Sequence, residues 1–115
     1  MNEILDIEKG LDLADNDKEL YVELLKLYST EAKFDVKELN DLIMKSEEEA
    51  ASYVHRAKGA CRQIAAVKAA AKGQEIEDIL RKKAEGNLAP LINDFVKLLD
   101  ETMKAVKQYL QNAEN

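Results

Sequence analysis

Cysteine, proline and histidine each occur once in the 115 residues, glycine four times and tryptophan not at all. A lone cysteine excludes an internal disulfide and fits a reducing, cytoplasmic setting. One histidine and one cysteine leave no metal-ligand spacing, so no zinc site and no resident cofactor are expected. The glycines form no phosphate-cradling loop, and no ATP-dependent kinase activity of the chain's own is expected. No apolar run approaches the ~20 residues that span a bilayer. Met1-Asn2-Glu3-Ile4 lacks the basic region and apolar stretch of a signal peptide. Basic residues are outnumbered 17 to 23 by acidic ones, for a formal net charge of −6. That balance argues against nucleic acid as a partner, because binding there rests on neutralising phosphates. The carboxylates are scattered, with no acid–base pair and no nucleophile–base–orienter set. The length suits a single domain over 1–115, and a chain opening on Met1 is expected to be a complete small protein.

Alanine, leucine, lysine and glutamate dominate, and no stretch alternates β-branched with polar residues, so the fold is expected to be all-α. A short first helix is read from Ile4 to about Ala14, with Gly10 as a weak point. Asp15-Asn16-Asp17 then reads as a loop and helix cap. Apolar residues at Leu20, Tyr21, Leu24, Leu25, Tyr28, Ala32, Val36, Leu39 and Ile43 predict one long second helix, with no breaker before Ser46. Ser46-Glu47-Glu48-Glu49 fits a capping box and opens a third helix, whose pattern can run to Lys72 before Gly73 interrupts it. Ile76, Ile79 and Leu80 continue an amphipathic segment to Lys83, and Glu85-Gly86-Asn87 is a loop. Pro90 suits a helix first turn, and Leu91, Ile92, Phe95, Leu99, Met103, Val106 and Leu110 give the last helix its apolar face. Gln111 to Asn115 is expected to fray. Long helices on short connections pack antiparallel, which predicts an up-down four-helix bundle with a short additional N-terminal helix.

The single histidine falls off the apolar stripe of its own helix. Ala50, Val54, Ala57, Cys61 and Ile64 mark the buried face, and His55 lies ~100° round from Val54. Its row is Ala51, His55, Lys58 and Arg62, with Gly59 one turn on. The imidazole is therefore expected to reach solvent, beside a cation and under no bulky neighbour. A histidine nitrogen can attack a phosphorylated carboxylate and hold the phosphoryl group as a phosphoramidate. Phosphoryl transfer depends mostly on in-line approach and on charge cancellation at the equatorial oxygens, and Lys58, one turn away, is placed to supply that charge. Gly59 clears room for a partner's loop; an interior helix glycine costs ~1 kcal/mol relative to alanine and so calls for a reason. Ala51, Gly59 and Arg62 are expected to dock that partner. Cys61, Tyr21 and Tyr28 read as packing, Met44 and Met103 as core or near-core filler, and Arg81-Lys82-Lys83 as the cationic end of a helix.

His55-Arg56-Ala57-Lys58-Gly59-Ala60-Cys61 resembles the motif of the histidine-containing phosphotransfer (HPt) domain family: histidine, then lysine and glycine at the third and fourth positions, then small residues. Asp17-Lys18-Glu19-Leu20-Tyr21, leading into Leu24-Leu25 and Tyr28, is similar to the entry of the family's long second helix. The resemblance runs from the first helix through Lys83. It implies a phosphorelay carrier: His55 as phosphoacceptor, Lys58 steadying the phosphoryl group, Gly59 giving clearance for a receiver domain. The implied partners are response-regulator receiver domains or a hybrid sensor kinase, with magnesium supplied by the receiver; a monomer is expected because His55 must stay accessible. The family carries glycine about ten residues after the histidine, where this chain has Ala65, so the chain either turns there without glycine or the His55 helix runs on. An alternative from another class is a docking module of the same fold that binds a receiver without carrying phosphate. A third assignment, the phosphoacceptor domain of a chemotaxis-type kinase, needs an ATP-binding domain supplied in trans.

Overall fold

The computed structural model describes residues 3–114, which form six helices and, among the described residues, no strand. The helices are α1 (Ile7–Leu13), α2 (Lys18–Glu31), α3 (Val36–Lys45), α4 (Glu47–Gln63), α5 (Val67–Leu80) and α6 (Leu88–Glu114). Four starts carry a side-chain cap on an otherwise unpaired N–H: Asp6 accepts from Lys9, Asp17 from Leu20, Asp35 from Lys37 and Ser46 from Glu49. Ser46 also closes α3, its own N–H donating to the Leu42 carbonyl. Asp15 and Asn16 take left-handed backbone at φ 55° and 60°, a conformation these two residue types tolerate well.

Gly10 is no weak point in α1. It is buried, and a Cβ there would run into the Tyr21 ring.

The second helix is not continuous. α2 ends at Glu31, Ala32 is extended, and α3 restarts after Asp35. No proline or glycine marks the break. Phe34 turns inward there, stacked on Tyr53 at 5.3 Å and edge-on to Phe95 at 5.1 Å. The Asp35 N–H donates to the Tyr53 hydroxyl at 2.9 Å. The half-buried Phe34 ring, packed against two others, and the Asp35 hydrogen bond hold the chain out of helical register at this break.

The helix carrying His55 also ends early, at Gln63 and not near Lys72. Ala65 adopts φ 62°; its N–H donates to the Arg62 carbonyl, and the Ala66 N–H to the Cys61 carbonyl. This is a Schellman stop with alanine where glycine is usual. The turn is held from outside. The Tyr21 hydroxyl donates to the Ile64 carbonyl at 3.0 Å, and the Asp6 N–H to the Ala65 carbonyl at 3.0 Å. Left-handed backbone costs an alanine roughly 1–2 kcal/mol, so Ala65→Gly is expected to raise stability by about 0.5–1 kcal/mol, read from the urea midpoint. An unchanged or lower midpoint would show that the turn carries no such strain.

Gly73, expected to interrupt a helix, lies buried inside α5. A Cβ there would sit 3.2 Å from both the Lys58 Cβ and the Phe95 ring, so the glycine lets α4 and α5 approach closely. Pro90 stands in the first turn of α6, which continues through the segment expected to fray as far as Glu114; Asn115 lies outside the described residues.

Cross-helix pairs fix the directions. Tyr21 meets Tyr109 at 5.8 Å and Phe34 meets Phe95, so α6 runs opposite to α2. Glu47 pairs with Lys82 at 3.0 Å and Lys58 lies against Gly73, so α5 runs opposite to α4. One core joins these elements through Tyr21, Leu25, Val54, Ile76, Phe95 and Val106, among other buried residues. Tyr28 and Cys61 are in it, as expected, while Met103 packs against its edge. Met44 is not; at the outer end of α3 it is 88 % exposed. Among the described residues, no helix is long and apolar enough to cross a membrane.

Candidate functional site

His55 sits in the middle of α4 with its side chain 57 % exposed. Its Nδ1 lies 3.1 Å from each carboxylate oxygen of Glu77, on α5. Glu77 is itself buried and takes two further donors, Lys58 Nζ at 2.7 Å and Arg81 Nε at 2.9 Å. The Lys58 ammonium also donates to Gln74 Oε1 at 2.8 Å, and the same oxygen accepts from Arg62 Nη2 at 3.1 Å. Gln74 returns its own N–H to Asp78 at 2.8 Å. Two rungs therefore join the helices, His55 to Glu77 and Arg62 to Gln74, with Lys58 touching both acceptors from beneath.

The electrostatics follow from this wiring. Burial alone would push the Glu77 carboxyl up, but hydrogen bonds from Lys58, Arg81 and His55 outweigh it and hold the group down at about 2. A carboxylate only accepts hydrogen bonds. The hydrogen between it and His55 therefore belongs to Nδ1, which in the neutral ring fixes the tautomer with the lone pair on Nε2. The imidazole is thus held in one orientation, with Nε2 on the side away from Glu77.

The residues singled out from sequence divide three ways. His55 is exposed and Gly59 is open, a Cβ there meeting nothing within 4 Å, so both stand where their row places them. Lys58 does not stand beside His55 as a solvated cation: its side chain is 4 % exposed and closed over by Glu77 and Gln74. Ala51 offers no docking surface, being fully buried. Both corrections share a cause: α5 packs along this row, enabled by Gly73, and covers whatever points toward it. Arg62 remains exposed at the far end.

Three participants were not assigned to the site from sequence: Glu77, Gln74 and Arg81. Arg81 is more than a helix-end charge, since it braces the carboxylate that holds the histidine. Glu77 left one trace, a carboxylate on the stripe Ala70, Gly73, Ile76, Leu80, the buried face of α5. A charge on a buried stripe needs a partner, and Lys58 is that partner.

On the other side of α4, the break between α2 and α3 opens a cleft of about 420 Å³ lined by Tyr28, Phe34, Tyr53, Arg56 and Met103, among others. None of its lining residues belongs to the His55 cluster. Among the described residues, no group of three or more histidine, cysteine or acidic side chains is arranged to hold a metal ion. Compared with family models, curated proteins and solved structures, the chain matches none of them.

Proposed function

We propose that the chain is a histidine phosphotransfer domain, carrying a phosphoryl group on His55 between receiver-domain aspartates. In this reading the helices form an antiparallel up-down four-helix bundle: α2 with α3 as one kinked rod, then α4, α5 and α6, with α1 as the additional N-terminal helix. The observation that carries the proposal is the half-exposed imidazole whose Nδ1–H is held by an ionised, buried carboxylate, leaving Nε2 outward beside an open glycine.

The Nε2 lone pair attacks the phosphorus of an aspartyl phosphate. The N–P bond forms as the P–O bond breaks, and the aspartate leaves with the electron pair. The Nδ1 proton stays on the ring, where the Glu77 carboxylate balances the imidazolium charge. Return to a second receiver reverses these steps. Magnesium belongs to the receiver in this scheme, so the carrier needs no cofactor of its own. The partners are response-regulator receiver domains or a hybrid sensor kinase, and the carrier works as a cytoplasmic monomer.

The test is transfer from a phosphorylated receiver domain, followed by intact-mass measurement. One added phosphoryl group, stable to base and lost in acid, is the expected result. No label from several receivers, with helicity intact by circular dichroism, would overturn the carrier role and leave the docking module.

A further inference from the structure

The row that carries His55 is closed at one end and open at the other. Ala51, one turn before the histidine, is fully buried. Gly59, one turn after it, faces open space. A group added to Nε2 therefore finds room toward Gly59. The next side chain in that direction is Arg62, exposed and two turns from His55, about 10.5 Å along the axis. Helical side chains tilt toward the N-terminus, which directs the Arg62 side chain back along α4 toward the turn of Gly59, where nothing lies within 4 Å of a Cβ position. Its Nη2 donates to Gln74 at 3.1 Å, and a guanidinium has five N–H donors in a fork suited to phosphate oxygens.

Neither other cation of the cluster is so placed. The Lys58 ammonium is buried under Glu77 and Gln74. Arg81 commits its Nε to Glu77 at 2.9 Å and belongs to the Ala51 end, since α5 runs opposite to α4 and the next residue, Lys82, pairs with Glu47 near the start of α4.

We propose that Arg62 is the cation that meets the phosphoryl group on His55 Nε2, across the open floor at Gly59, and that Lys58 stays committed to Glu77 and Gln74. This rests on the phosphoacceptor reading and adds the residue that recognises the dianion. It makes Arg62 a phosphoryl-binding residue where the sequence pointed to a docking one.

Phosphoramidate provides a donor that needs no receiver. Nε2 attacks its phosphorus, the phosphorus–nitrogen bond of the donor breaks, and the leaving nitrogen takes up a proton from water to depart as ammonia. Wild type, Arg62→Ala, Arg62→Lys and Arg56→Ala would each be phosphorylated this way, and the phosphorus-31 resonance followed against pH. A cation beside the dianion favours its ionised form. The titration midpoint of Arg62→Ala is therefore expected about half a pH unit or more above wild type, with Arg62→Lys between them. Arg56, whose guanidinium lies over the Tyr53 ring on the cleft side of α4, serves as the control and should titrate as wild type. A purely structural bond from Arg62 to Gln74 would leave the midpoint in place. Identical midpoints in wild type and Arg62→Ala would overturn the assignment to Arg62 while leaving His55 as acceptor. Absence of any phosphorus signal on wild type would overturn both.

Discussion

His55→Gln is expected to abolish phosphoryl uptake while leaving the fold in place. The two effects separate because of where the side chain lies. It is more than half exposed, so little packing is lost, and a glutamine amide can still donate to the Glu77 carboxylate in place of Nδ1. The change in stability should stay within about 1 kcal/mol. Chemistry should vanish, since an amide nitrogen has no lone pair free to attack phosphorus. Labelling by a phosphorylated receiver or by phosphoramidate, read beside a urea unfolding curve, checks both halves. Wild-type labelling of the variant would place the acceptor elsewhere in the chain.

Lys58→Met is expected to act the other way, destabilising the protein by about 3–5 kcal/mol before any question of transfer arises. Methionine matches the length of the stem, so the loss measures the charge and not a cavity. What remains is the buried Glu77 carboxylate, short of its closest donor. Comparing urea midpoints at neutral pH gives the size, and a loss under 1 kcal/mol would mean that Arg81 and His55 suffice to hold the carboxylate. The acid limb carries the same information. Glu77 is held at about 2 in the fold, below its ordinary value of 4.5. Its contribution is therefore fully present above about pH 4.5 and is lost as the pH falls toward 2. Wild type should lose on the order of 2–3 kcal/mol over that window from this group. Glu77→Gln, less stable at neutral pH, should lose that much less on acidification.

How much of this was legible in the chain depends on whether the cause is local. The caps at Asp17 and Ser46 depend on a few adjacent residues, and both act where expected. The exposure of His55 and the clearance at Gly59 depend only on helical geometry, and they appear as read. No residue within the breaks at Ala32–Asp35 and Ile64–Ala66 is a breaker, so the first was not legible and the second was pointed to only by the family resemblance, as one of two outcomes at Ala65. The first is held by Tyr53 and Phe95, the second by Tyr21 and Asp6, all distant in sequence. The same limit hid the other half of the site. Periodicity assigns Lys58 and Ala51 to an outward row, but α5 arrives across that row and turns both inward. Glycine misled for a related reason: Gly73 reads as an interruption when α5 is considered alone, and as a close contact once α4 lies against it.

The thiol of Cys61 has a practical use. It is the chain's only sulfhydryl, fully buried between α4 and α2, 3.8 Å from the Tyr28 hydroxyl. Burial pushes it up to about 11 despite that neighbour, so almost no thiolate exists while the helices stay packed. Alkylation then requires α2 and α4 to part. The rate of a single modification thus becomes a clock for opening of the core behind His55, and comparing phosphorylated with unphosphorylated protein would show whether a phosphoryl group tightens or loosens that core.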